Sequence, residues 1–159
     1  MILQHSIFLL GWAHVHNSHR KRKYLRKFTD HYRVSTHPNV NFTVVINPGS
    51  GPGPNPLPDG NYTREIPKLA SYDNVRLLGY VATTYATRDI SLVRKDIETY
   101  AGWSTNSSIP YLAVRGIFFD ETPQQYDANV LTYLEELRDV VRGAPGLGPD
   151  NYVCFHALT

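Results

Sequence analysis

Cysteine is nearly absent: Cys154 is the single one in 159 residues. That excludes an internal disulfide framework and a multi-cysteine metal cluster. No apolar run approaches the ~18 residues of a membrane span, so no spanning helix is expected. No Gly-x-Gly-x-x-Gly follows a strand-like segment, which argues against a dinucleotide site. Basic charge is scarce in the body of the chain. Residues 41–159 carry −4, whereas residues 1–40 carry +6. The body therefore offers no basic face to nucleic acid, and none is expected as a partner. The rest of the composition, 42% hydrophobic and 19% charged, is that of a globular protein.

The basic residues gather in Arg20, Lys21, Arg22, Lys23, Arg26 and Lys27. Such a cluster attracts nucleic acid or serves as a targeting signal, but a solvated, partly helical arm is the favoured reading. An apolar stretch, residues 6–15, precedes it. It reads equally as the core of a secretory signal or as a first buried strand, and no Lys or Arg precedes it.

From residue 40 one pattern repeats. Val40–Ile46 reads as a buried strand rich in β-branched residues. Asn47-Pro48-Gly49-Ser50-Gly51-Pro52-Gly53 can only be loop. Tyr62, Ile66 and Leu69 are spaced as a helix, interrupted by Pro67. A second strand is predicted over Asn74–Val81. Asp89 is a plausible N-cap for a helix facing inward through Ile90, Val93, Ile97 and Tyr100. A third strand is expected over Tyr111–Phe119. A helix follows over 125–142, with Val130, Leu134, Leu137 and Val141 inward, stopped by Gly143 and Pro145. A fourth strand is expected over Tyr152–Leu158.

The expected strand ends, Asn47, Thr84, Asp120 and His156, are 37, 36 and 36 residues apart. Strand, loop, helix and return in that span make a βα unit, and successive units make a parallel sheet. A doubly wound open sheet and a (β/α)8 barrel both fit. The chain supplies four units, or five if the N-terminal region forms one.

In such folds the functional loops lie at the C-terminal strand ends. These ends carry Asn47 and Ser50, then Thr83, Thr84, Tyr85 and Arg88, then Asp120 and Glu121. Two carboxylates after a wholly apolar strand are costly unless used or paired. Carboxylates beside tyrosines suit glycoside hydrolysis. Equally, one of them caps the next helix, or pairs with Arg88 or Arg115. From pattern alone these readings stand level. Strand alternation sends neighbours to opposite faces, so Asp120 and Glu121 share a target only if the strand has ended. Cys154 and His156 share a strand face, but with no third group to orient them they read as ordinary strand residues. Three Asn-x-Ser/Thr triplets begin at Asn41, Asn61 and Asn106, the last two on predicted loops.

Taken together, the motifs resemble spherulation-specific family 4, the spherulin-4-like proteins. The matching residues are His37-Pro38, Phe42 through Gly53, Pro58-Asp59, Asn61-Tyr62 and Asn74-Val75. They continue with Leu78-Gly79-Tyr80-Val81, Thr83, Tyr85, Arg88, Asp96-Ile97, Tyr100, Trp103 and Gly116 through Pro123. The resemblance spans roughly 37–155. It implies an α/β fold, a partial (β/α)8 TIM-type barrel, and a secreted or cell-surface fungal protein. It also implies an endo-acting glycoside hydrolase of galactosamine-containing polysaccharide, with no cofactor or metal. The alternative is a non-catalytic cell-surface or carbohydrate-binding protein. The family's Asp-Glu motif maps onto Asp120 and Glu121 as the catalytic pair, with Asn47, Tyr80, Tyr85 and Arg88 expected to bind substrate. The family's Asn-Pro-Gly loop after the last strand is replaced here by Cys154-Phe155-His156-Ala157, and its later glutamate has no counterpart. The expectation is therefore a basic segment over 1–36, a partial barrel domain over 37–159, and a truncated, weakly active or inactive domain.

Overall fold

A computed structural model describes residues 5–11 and 34–157. The basic cluster at 20–27 and the histidines at 14, 16, 19 and 31 lie outside the described residues. Strand β1 is His5–Gly11, so most of the early apolar stretch forms a strand, and its residues 12–15 lie outside the described residues. Strand β2 (Asn41–Asn47) is followed by helix α1 (Gly60–Ala70). Strand β3 (Val75–Ala82) leads to helix α2 (Ile90–Asn106). Strand β4 (Gly116–Thr122) leads to helix α3 (Ala128–Gly143). Strand β5 (Tyr152–Ala157) closes the series. No helix among the described residues is long and apolar enough to cross a membrane.

All neighbouring strands are parallel, and their order in space is their order in the chain, β1-β2-β3-β4-β5. A doubly wound sheet reverses its order at a switch point. The absence of a reversal here leaves consecutive units of a (β/α)8 barrel, with the helices packed on one face.

Local chemistry accounts for the helices. Each begins at an aspartate whose carboxylate accepts orphan backbone N–H groups. Asp59 accepts from Asn61 and Tyr62, Asp89 from Ser91, and Asp127 from Asn129 and Val130. Tyr62, Ile66 and Leu69 are buried as their spacing predicts. Pro67 stays inside α1, because losing one helical hydrogen bond is offset by burying those three side chains. Asn61 and Asn106 lie in helices α1 and α2, not in loops.

The third strand corrects the sequence reading. Tyr111–Arg115 is not strand, and Tyr111 has a φ of 64°. Leu112 and Val114 are nonetheless buried, so their alternating pattern records burial of a loop. Gly116 can start β4 because it has no side chain. A Cβ there would stand 2.0 Å from the Tyr152 carbonyl oxygen of β5.

The two sheet faces have different contents. The helix-facing side joins Val44, Ile46, Leu77, Val81, Ile117 and Phe119 to Tyr62, Ile97, Tyr100 and Trp103. Tyr100 lies on Gly79, where a Cβ would approach its ring to 2.7 Å. The Tyr100 hydroxyl donates to the Ile46 carbonyl at 2.8 Å. The opposite face holds a small apolar floor, Val45, Leu78 and Phe118, with Tyr80 and Cys154 against it.

Candidate active site

Strand periodicity places Tyr80 on β3, Asp120 on β4 and His156 on β5 above that floor, each two residues beyond an apolar floor position. The Tyr80 hydroxyl donates to Oδ2 of Asp120 at 3.0 Å. Oδ1 of Asp120 accepts the Glu121 backbone N–H at 2.9 Å and pairs with Nδ1 of His156 at 2.8 Å. The three rings are layered across three strands. Tyr80 and Phe118 lie 6.5 Å apart, and Phe118 and His156 5.4 Å apart, each pair at 28°.

Asp120 and Glu121 lie inside β4, not after it, and the alternation of the strand is interrupted there by a bulge. Phe119 pairs with Phe155 and Thr122 with Ala157. Asp120 and Glu121 therefore stand opposite His156 alone, a two-against-one bulge. Glu121 takes a left-handed φ of 56°, a conformation costing roughly 1–3 kcal/mol that surrounding bonds must hold. Those bonds come from the loop after β3. The buried Thr83 hydroxyl donates to the carbonyls of Asp120 (3.1 Å) and Glu121 (2.8 Å). The Tyr85 N–H donates to the Glu121 carbonyl at 2.7 Å. Thr84, Tyr85 and Ala86 all have φ between 50° and 61°, so this loop is itself wound left-handed.

The electrostatics follow. Burial raises the proton affinity of Asp120. Hydrogen bonds from His156, the Glu121 N–H and Tyr80, with the charge of His156, outweigh it and hold the carboxyl below its ordinary value. The Tyr80 phenol is pushed well up, first by burial and then by Asp120 and Glu121, with Arg88 opposing. Tyr80 therefore stays protonated and donates.

Arg88 and Asn47 hold scaffolding bonds. Arg88 pairs with Asp96 at 2.8 Å and donates to the Ala82 carbonyl at 3.1 Å. The Asn47 side-chain oxygen accepts the Gly51 N–H at 3.0 Å, and its carbonyl accepts the Tyr62 hydroxyl at 3.0 Å. Gly51 lies against Asp96, where a Cβ would sit 3.2 Å from the carboxylate. Tyr85 is 53% exposed. Asp127, not Asp120 or Glu121, caps α3, and Arg88 pairs with Asp96; the pairing partner of Asp120 is His156. Burial pushes the Cys154 thiol up, against a thiolate nucleophile. Among the described residues no group of three His, Cys, Asp or Glu could hold a metal ion.

The sequence names Tyr80, Asp120 and Glu121, which the structure brings together, but passes over His156. The signal was the repeat itself. The β4–β5 register pairs Phe118 with Cys154, an offset equal to the 36-residue period, and the same offset carries Asp120 to His156.

Spherulation-specific family 4 matches residues 26–157. Spherulin-4 of Physarum polycephalum is 34% identical over 118 residues, which are 70% of this chain and 33% of that protein. The crystal structure of Aspergillus clavatus Sph3 in complex with GalNAc is 78% identical, with a TM-score of 0.75. The match covers 77% of this chain and 48% of that one. The chain thus spans about a third of the first relative and about half of the second. With most of its length matched, the chain belongs to spherulation-specific family 4.

Proposed function

We propose that this chain is a glycoside hydrolase domain, endo-acting on galactosamine-containing polysaccharide, secreted or displayed at the fungal cell surface. One observation carries the reading. Asp120 is held as a carboxylate at the C-terminal end of a barrel strand, the position where such folds do their chemistry, with Tyr80, Glu121 and His156 around it. The support from relatives is the GalNAc bound to Sph3. In this reading Asp120 is the nucleophile or the group that stabilises the developing oxocarbenium charge. Glu121 is its acid/base partner or hydrogen-bonding neighbour, and Tyr80 and Tyr85 line the sugar groove.

The test is release of reducing ends from a partially deacetylated galactosamine polymer. The expected result is weak release by the parent chain and none by Asp120→Asn. A second reading, carbohydrate binding without cleavage, has its own support. Glycosidases place two carboxylates across the bond, ~5–9.5 Å apart. Among the described residues, the acids at this site are neighbours in one strand. Polymer binding that survives both Asp120→Asn and Glu121→Gln, with no release, would favour it.

A further inference from the structure

We infer that His156 is a positioning residue of this site: it anchors Oδ1 of Asp120, so that Oδ2, shared with Tyr80, is the oxygen presented to a sugar. The inference rests on the amino-sugar reading only for the identity of the ligand.

The argument begins with a count of acceptor sites. An ionised carboxylate has about four lone-pair positions. Oδ1 takes two donors, the Glu121 N–H at 2.9 Å and His156 Nδ1 at 2.8 Å. Oδ2 takes one, the Tyr80 hydroxyl at 3.0 Å. Oδ1 is therefore filled, and Oδ2 keeps an open position beside the Tyr80 oxygen, which can itself accept a hydrogen bond.

The two donors on Oδ1 differ in kind. The Glu121 N–H belongs to the bulge and is fixed by backbone geometry. His156 comes from the neighbouring strand, and its ring stacks beside Phe118, with centroids 5.4 Å apart and the planes at 28°. Bonds from both directions stop the carboxylate from rotating about its Cβ–Cγ bond. His156 also lies at the solvent side, its side chain 49% exposed against 19% for Asp120, so the imidazole covers the anchored oxygen.

The titratable and charged groups facing Asp120 are few. β3 contributes Tyr80, β4 contributes Glu121, and β5 contributes His156 with Cys154 on the same face. Arg88 acts on Tyr80 but is committed to Asp96. His156 is thus the one basic side chain in contact with the Asp120 carboxylate among the described residues.

Two substitutions separate anchoring from packing. His156→Phe keeps a ring for Phe118 and removes the donor. His156→Gln keeps an N–H donor and removes the ring. The Asp120 carboxyl can be followed by carbon-13 NMR through an acid titration of the full chain, with no sugar present. The expected result is an upward shift of the Asp120 midpoint in His156→Phe, with a smaller shift in His156→Gln. A midpoint in His156→Phe equal to that of the parent chain would overturn the inference. The same titration is then read through galactosamine binding. The acid limb of binding should move to higher pH in His156→Phe, and an unmoved limb would count against anchoring. Failure of the parent chain to bind galactosamine would overturn the amino-sugar reading, while the NMR midpoint would still decide the role of His156.

Discussion

The two faces of the sheet are built from alternate residues of the same strands, yet they do different work. The helix-facing side is continuous and large-residued, with Trp103, Tyr62, Tyr100, Phe119, Ile97 and Ile117 fully buried. The opposite side is a three-residue apolar floor topped by Tyr80, Asp120 and His156. Stability resides in the first and the proposed chemistry in the second. Substitutions at adjacent positions, such as Gly79 and Tyr80, should therefore fail in different ways.

The largest effect should come from the helix-facing side. Ile97→Ala should lose about 2–5 kcal/mol in urea unfolding, since it removes fully buried methylenes and leaves a cavity. Gly79→Ala should cost about 1–3 kcal/mol, because its new Cβ meets the Tyr100 ring. A Tm equal to that of the parent chain would show that Tyr100 moves freely, and would break the contrast between the faces.

The next effect lies on the other face and depends on pH. The folded state holds Asp120 below its ordinary carboxyl value. Its contribution to stability is full above the unfolded value of about 3.9. It is lost as pH falls through the lower, folded value. Asp120→Asn should thus be less stable than the parent chain at neutral pH by about 1 kcal/mol. The gap should close in acid, read as converging urea midpoints. The smallest effect should be Tyr85→Ala. Its exposed ring predicts a change within about 0.5 kcal/mol in stability, together with weaker binding of a galactosamine polymer.

The same contrast explains what was legible in the sequence. Val44-Val45-Ile46 and Ile117-Phe118-Phe119 announce buried strands, and the aspartate at 89 announces a helix start, because those signals are local. The strand start at Gly116 was not legible. Leu112 and Val114 alternate like a strand but are buried from a loop, and only the close approach of β5 selects a glycine. The bulge at Asp120 and Glu121 was hidden for a related reason. It is a backbone conformation held by Thr83 and Tyr85, 36 or more residues upstream. His156 looked ordinary until a register joined it to Asp120.

The central claim is that the polar face binds an amino sugar through Asp120. Calorimetric titration of galactosamine oligosaccharide into the parent chain and Asp120→Asn at pH 7 tests it most directly. The account predicts saturable binding by the parent chain. It predicts a loss of about tenfold or more in Asp120→Asn, the scale of one lost charge-assisted bond, in a protein that is still folded. Equal affinity in the two would contradict it.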